Sequence, residues 1–201
     1  MPNGWFVTGT DTGVGKTVVA AALTLATPGA YYWKPIQSGV AGDPATDTEA
    51  VARWTGLPPA RILPEAYRLK LPASPHVSAA AEGVAIRRER LGLPPAPAPI
   101  IVEGAGGLMV PINDDATMLD LMVWLALPVV LVARTALGTI NHTLLSLEAL
   151  RRRGLALHAL VLNGEPVPTT RETLRRWGKP ERLIELRPLP VLNPEALRGL
   201  F

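Results

Sequence analysis

Two lysines, two carboxylates and one glycine-rich run carry the chemistry that this sequence can offer. Residues 9–17 read Gly-Thr-Asp-Thr-Gly-Val-Gly-Lys-Thr, between the apolar run Trp5-Phe6-Val7 and the helix-forming run Val18–Leu25. A glycine-rich turn from strand to helix aims successive backbone N–H groups at one point, and the helix dipole adds positive charge there. Such a turn cradles phosphates through the backbone of Gly13, Val14, Gly15, Lys16, Thr17 and Val18, with Lys16 reaching the β/γ-phosphates and Thr17 able to ligate Mg²⁺. The usual spacing puts the first glycine at position 10; here Thr10 stands there and the glycine is Gly9.

Lys34 leaves a second apolar run in Trp33-Lys34-Pro35-Ile36-Gln37-Ser38-Gly39. It reads either as a surface lysine before a proline turn or, beside a phosphate loop, as a clamp on a transferring phosphoryl group. Glu103 follows Ile100-Ile101-Val102 and precedes Gly104-Ala105-Gly106-Gly107. An acid there either holds Mg²⁺ or serves a turn or helix cap. Asp47, in Thr46-Asp47-Thr48-Glu49, is equally a helix-start acid or a third hard-oxygen ligand with Thr17 and Glu103.

The elements that must position these groups alternate. Apolar runs predict strands near 4–9, 31–34, 100–103, 129–133, 157–162 and 184–187; helical periodicity predicts helices near 16–26, 46–55, 117–126, 139–153, 169–177 and 194–200. Unbroken runs such as Pro128–Ala133 suit strands buried on both faces, so the expected fold is α/β: a doubly wound, mainly parallel sheet flanked by helices, in a single domain over 1–201. Ligands in such folds sit at the carboxyl ends of strands, where the residues above fall. Residues 56–99 read as irregular, and Leu93–Pro99 as a stiff extended connector.

Composition narrows the function. With no cysteine, thiolate metal sites, iron–sulfur clusters and thiol nucleophiles are excluded. A first strand by residue 5 leaves no room for a signal peptide, and Leu121–Ala133, broken by Pro128, falls short of the ~20 residues of a membrane span. The expectation is a cytoplasmic protein without a membrane partner. A net charge of +3 is mild, and the clusters Arg87-Arg88 with Arg90 and Arg151–Arg153 read as solvated helix ends rather than a nucleic-acid surface. The only lysines are Lys16, Lys34, Lys70 and Lys179 in a chain that otherwise uses Arg; a compact ammonium with a movable pKa stands at both chemical positions. Scarce Gln and abundant Pro hint at heat stability.

The motifs in order are Gly-Thr-Asp-Thr-Gly-Val-Gly-Lys-Thr, Lys-Pro-Ile-Gln-Ser-Gly, Ser74-Pro75-His76, Val-Glu-Gly-Ala-Gly-Gly and Leu137-Gly138-Thr139-Ile140-Asn141-His142. Together they resemble the dethiobiotin synthetases of biotin biosynthesis, over residues 4 to about 195. The resemblance implies a P-loop nucleoside triphosphate hydrolase fold and an ATP- and Mg²⁺-dependent ring closure. In it 7,8-diaminononanoate takes up CO₂ (as bicarbonate in solution) as an N-carbamate, ATP phosphorylates the carbamate, and the second amine closes a cyclic urea. It further implies that Lys34 is catalytic with Lys16 beside it, and that Thr12 and Ser38 contact substrate. Glu103, Gly104, Ala105 and Gly106 would contact nucleotide; Asn163 with Gly164 would read adenine; Pro190, Val191, Leu192 and Glu195 would add nucleotide contacts. Asp47 would join the nucleotide–metal site, and Thr17, Asp47 and Glu103 would hold Mg²⁺.

The resemblance also implies a homodimer, in which the helix starting Gly138, Thr139, Ile140, Asn141 offers N–H groups to a substrate carboxylate on the partner. Gly164 departs from the polar residue common in the family. His142 reads as structural or ligand-facing, His76 as part of a Ser-Pro turn and His158 as structural; the role of Asp11 stays open. The rival reading is a partitioning-type switch ATPase. That class carries an extra lysine near position 10, where this chain has Thr10, and gives no reason for Lys34 followed by Ser38.

Overall fold

The computed structural model describes residues 3–40 and 46–201. The elements run β1 (Gly4–Gly9), α1 (Lys16–Ala26), β2 (Tyr31–Trp33), β3 (Ile36–Gln37), α2 (Asp47–Thr55), β4 (Ile62–Leu63), β5 (Tyr67–Arg68), α3 (Pro75–Ala81), β6 (Ile100–Gly107), α4 (Met118–Leu125), β7 (Val129–Arg134), α5 (Thr139–Arg152), β8 (Leu157–Asn163), α6 (Pro168–Thr173), β9 (Leu183–Leu186) and α7 (Pro194–Arg198). Seven strands form one sheet in the order β4-β2-β6-β1-β7-β8-β9, with every pairing parallel; β3 and β5 pair separately, also parallel. The doubly wound expectation holds.

Alternation along each strand divides the core. Val7, Ile101, Val130, Val132 and Val161 pack with Val19–Leu23 of α1 on one face. Phe6, Val102, Val129, Leu131 and Leu160 pack with Met118, Leu119, Leu121 and Met122 of α4 and Leu147 and Leu150 of α5 on the other. Successive strand side chains point to opposite faces, so a sheet covered on both sides needs apolar residues at every position. The three consecutive alanines of α1, Ala20–Ala22, are fully buried and let that helix lie close to the sheet.

Three differences from the sequence expectations have local causes. Ser74-Pro75-His76 is no turn: Ser74 precedes α3 and Pro75 occupies its first turn, where a missing N–H costs nothing. Strand β6 continues four residues past Glu103, because Gly107 still pairs with Gly9 across a register shift after Val7. Residues 56–99 hold β4, β5, α3 and two short 3₁₀ turns rather than irregular chain. The arginine clusters are engaged locally: Arg88 lies over Trp124, Arg90 over Tyr67, Arg152 pairs with Glu148 and Arg153 with Asp120.

Asp120 also fixes the start of α4. Its Oδ2 accepts from the Thr117 amide at 2.8 Å and the Thr117 hydroxyl at 2.7 Å, while Oδ1 meets Arg153 at 2.7 Å. Partial burial works against its charge, but the Thr117 amide, the Arg153 guanidinium and the Thr117 hydroxyl outweigh it and hold the carboxyl down at about 2. A carboxyl lowered by folding stabilises the fold above its unfolded pKa and loses that contribution as pH falls toward the folded value. Asp120→Asn is therefore expected to cost about 1 kcal/mol at neutral pH, and to reduce the loss of stability between pH 4 and pH 2, read by urea unfolding at several pH values.

Candidate functional site

Strands β2, β6 and β1 are neighbours, so the residues that leave their carboxyl ends meet although they stand far apart in the chain. The loop after β1 folds as a compact cradle. At Gly9, the displaced glycine of the motif, a Cβ would stand 2.7 Å from Val14 Cγ2 and 2.9 Å from the Asp11 carbonyl, so the loop requires glycine there and not at position 10. At Gly15, φ is +96° and a Cβ would fall 2.0 Å from Asn163 Nδ2. Gly15 opens α1 without a side-chain cap, leaving the first helical N–H groups free for an anion.

Asp11 acquires a definite role from its contacts. Its Oδ1 accepts from the Thr12 amide at 2.7 Å, its Oδ2 meets Arg134 at 2.7 Å, and its carbonyl accepts from Lys16 Nζ at 2.9 Å. It shapes the loop and folds Lys16 over it. Burial, then the neighbouring Lys34 ammonium, brings Lys16 down to about 8, against the pull of Glu103, Asp47 and Asp11.

A largely buried charge cluster, open to solvent at Asp47, lies beside the loop. Lys34 Nζ is 2.8 Å from Asp47 Oδ2, 3.0 Å from Glu103 Oε1 and 3.3 Å from the Gly104 carbonyl. The Thr17 hydroxyl is 2.9 Å from both Asp47 Oδ1 and Glu103 Oε1. Lys34 is 3% exposed and Glu103 1%, so the surface-lysine and turn-acid readings both fail. Burial opposes the Lys34 charge, yet Glu103 and Asp47 outweigh it and raise its pKa; burial likewise opposes the Asp47 charge, and Lys34 outweighs it and lowers that pKa.

The helix-cap alternative for Asp47 is answered by Thr46. The Thr46 hydroxyl accepts from the Glu49 amide at 3.2 Å and Glu49 Oε2 accepts from the Thr46 amide at 2.9 Å. This reciprocal cap frees the Asp47 side chain to face Thr17 and Lys34. Gln37 Oε1 steadies it by accepting from the Asp47 amide at 3.1 Å.

One hydroxyl proton cannot satisfy two carboxylates, so Thr17, Asp47 and Glu103 present more acceptor capacity than their own donors fill. That set is all hard oxygen, which suits Mg²⁺.

A cavity of about 710 Å³ opens above the cluster. Thr12, Gly13, Gly15, Lys16, Thr17, Val18, Lys34, Ser38, Asp47, Glu103, Ala105 and Gly106 all line it. The Ser38 hydroxyl oxygen is buried without a partner among the described residues. Val14 is buried beneath the loop, and Gly104 contributes its carbonyl. Sequence reasoning missed Trp54 and Val110 in this lining, since only the folded chain brings them there, while Ser74 of the Ser-Pro-His motif lines it as well.

Val18 also lines a smaller cleft of about 180 Å³ with Asn163, Gly164, Leu189 and Leu192. Asn163 Nδ2 donates to the Val14 carbonyl at 3.0 Å, tying the end of β8 to the loop. Pro190, Val191 and Glu195 line neither cavity and are exposed. Gly138, Thr139, Ile140 and Asn141 open α5 away from the central cavity, with the Thr139 hydroxyl donating to the Arg134 carbonyl at 2.6 Å.

Tyr32 was not foreseen. Wholly buried in β2, it donates to Glu103 Oε2 at 2.8 Å and so fixes the carboxylate with Oε1 turned to Thr17 and Lys34. Burial, then the charge of Glu103, raises its pKa well above the ordinary tyrosine value, so it remains a donor.

Comparison with known proteins accords with this geometry. A family described as an AAA domain matches residues 3–196. An ATP-dependent dethiobiotin synthetase of Nitrobacter hamburgensis is 51% identical over 195 residues, 97% of this chain and 91% of that protein. One from Agrobacterium fabrum is 52% identical over 196 residues, with the same shares covered. A solved ParA family ATPase from Chlorobium tepidum superposes with a TM-score of 0.53 over 98% of this chain and 92% of its own, at 13% identity. That last likeness shows the fold alone.

Tyr32→Phe is expected to lower the free energy of unfolding by about 1–3 kcal/mol, the cost of leaving a buried carboxylate oxygen unsatisfied. Urea denaturation reads it; an unchanged midpoint would mean that Glu103 finds another donor.

Proposed function

The chain belongs to the ATP-dependent dethiobiotin synthetases and makes dethiobiotin for biotin biosynthesis using ATP, and on that premise we propose how its cavity performs the ring closure. The observation that carries the proposal is the convergence of Lys16 and Lys34 on one cavity beside an uncapped helix N-terminus. A carbamate and a γ-phosphate are both anionic and repel unless cations hold them together. Phosphoryl transfer asks mainly for positioning and charge stabilisation, which two ammonium groups supply.

In this reading the substrates are ATP, CO₂ (or bicarbonate) and 7,8-diaminononanoate. One amine of the diamine adds to CO₂ and becomes a carbamate. A carbamate oxygen attacks the γ-phosphorus and ADP leaves, giving a carbamic–phosphoric anhydride. The second amine then attacks the carbonyl carbon and loses a proton as phosphate departs, closing the cyclic urea. The backbone from Gly13 to Val18 receives the phosphates, with Glu103–Gly106 beside them; Lys16 and Lys34 hold the two anions at reacting distance. Thr12 and the unpartnered Ser38 hydroxyl contact the diamine. Asn163 and Gly164, with Leu192, supply the adenine cleft in this proposal; support comes from the cleft they share with Val18, next to the phosphate loop. Pro190, Val191 and Glu195 have no such support and stand outside the proposed site.

Thr17, Asp47 and Glu103 would hold Mg²⁺, which when bound neutralises phosphate charge. We further infer a homodimer. Its support is apolar exposure around α5: Met109, Leu137 and Leu145 are exposed, beside a cavity of about 530 Å³ that includes His142. The Gly138–Asn141 helix start would then face the partner's substrate. A cytoplasmic location is part of this proposal; no helix among the described residues is long and apolar enough to cross a membrane.

The test is dethiobiotin formation by the purified protein with ATP, Mg²⁺, bicarbonate and diaminononanoate. Phosphate release independent of the diamine, without cyclic urea, would favour a switch ATPase. Lys34→Ala is expected to retain nucleotide binding and lose at least about 10²-fold in kcat; equal loss of both would confine Lys34 to binding. Asp47→Asn and Glu103→Gln should each raise the Mg²⁺ concentration that gives half-maximal activity, and an unshifted titration would remove that residue from the metal shell.

A further inference from the structure

We propose that Lys34 is the resident counter-ion of the Asp47–Glu103 pair and that a divalent cation entering between Thr17, Asp47 and Glu103 displaces it toward the cavity. An ammonium has three N–H donors. All three are spent in this structure, on Asp47 Oδ2, Glu103 Oε1 and the Gly104 carbonyl. Lys34 therefore has no donor left for a substrate anion. Lys16 differs: among the described residues its one partner is the Asp11 carbonyl, so donors remain for phosphate.

The acceptors tell the same story from the other side. Glu103 Oε1 is shared between the Lys34 ammonium and the Thr17 hydroxyl, and Asp47 offers one oxygen to each. Glu103 Oε2 is taken by Tyr32 and cannot turn to help. A cation bound by Thr17 and the two carboxylates would claim Glu103 Oε1, the one oxygen that Thr17 and Lys34 both use. Two positive groups cannot share that atom at contact distance without strong repulsion. Conversely, the buried Glu103 carboxylate is costly without a cation, which keeps Lys34 in place until one arrives.

Resting on the ring-closing function above, the exchange orders the reaction. The anion site for the carbamate exists only after the metal site fills, because the same lysine serves both. Ser38 and Thr12 line the cavity into which the freed ammonium moves.

Wild-type protein labelled with acetic anhydride and read by mass spectrometry tests this, since the four lysines are separately identifiable in digests. Saturating Mg²⁺ alone should raise the Lys34 labelling rate several-fold while the exposed Lys70 and Lys179 stay constant. Equal Lys34 labelling with and without Mg²⁺ overturns the proposal. Lys34→Met, measured by calorimetry without nucleotide, should bind Mg²⁺ roughly tenfold more tightly than wild type, because its competitor is gone. Unchanged or weaker binding by the folded variant also overturns it; if the variant does not fold, the labelling decides. Wild type that forms dethiobiotin without Mg²⁺-dependent Lys34 labelling refutes the exchange alone. Labelling without dethiobiotin refutes the ring-closing function and leaves the exchange standing.

Discussion

A carboxylate and an ammonium held out of water at the carboxyl end of a parallel sheet, with a second, part-exposed carboxylate beside them, set the terms for the rest of this molecule. Removing one member of a buried pair costs about 3–5 kcal/mol, whereas exposed pairs contribute about 0–1 kcal/mol. By that scale Arg152–Glu148 and Arg68–Glu49, both well exposed, matter little to the fold. The Lys34 contacts, with side-chain exposures of 4% and 1% for Lys34 and Glu103, matter much more. Such a cluster persists only if every member is satisfied, which explains the surrounding apparatus: Tyr32 on Glu103, Gln37 at the Asp47 amide, and the Thr46–Glu49 cap that leaves the Asp47 side chain free.

Topology makes the cluster possible. The chain passes from β1 to β2 across the position later filled by β6, so residues near 16, 34 and 103 come from three adjacent strands. The cradle, the lysine and the acid then share one end of the sheet, as ligand sites in open parallel sheets do. The same architecture serves ATPases of other function, as the ParA family likeness illustrates. Fold therefore cannot separate a ring-closing enzyme from a switch. What sets this chain apart lies in its side chains: Thr10 stands in the loop, and Lys34 and Ser38 line one cavity with it.

What the sequence displayed was what local pattern encodes. The strand–loop–helix around Gly9–Thr17, the buried runs of β7 and β8 and the helix over 139–152 follow from periodicity and glycine placement. Asp47 stayed ambiguous although its answer was nearby: Thr46-x-x-Glu49 is a capping-box signature, and reading it would have freed Asp47 from that role. Helix α3 hid behind Ser74-Pro75, since the same pair opens a turn or a helix. The extension of β6 through Gly104–Gly107 ran against strand propensity and is supplied by pairing with β1. Tyr32 had no local signal at all; its importance is a contact with a residue far along the chain.

The central claim is that Lys34 and Glu103 act as one electrostatic unit in the ion-free protein. A double-mutant cycle of unfolding free energies with Lys34→Met, Glu103→Gln and the pair measures that directly. The account predicts a coupling energy above about 1 kcal/mol, with the double variant more stable than the sum of the single losses implies. A coupling near zero would contradict it.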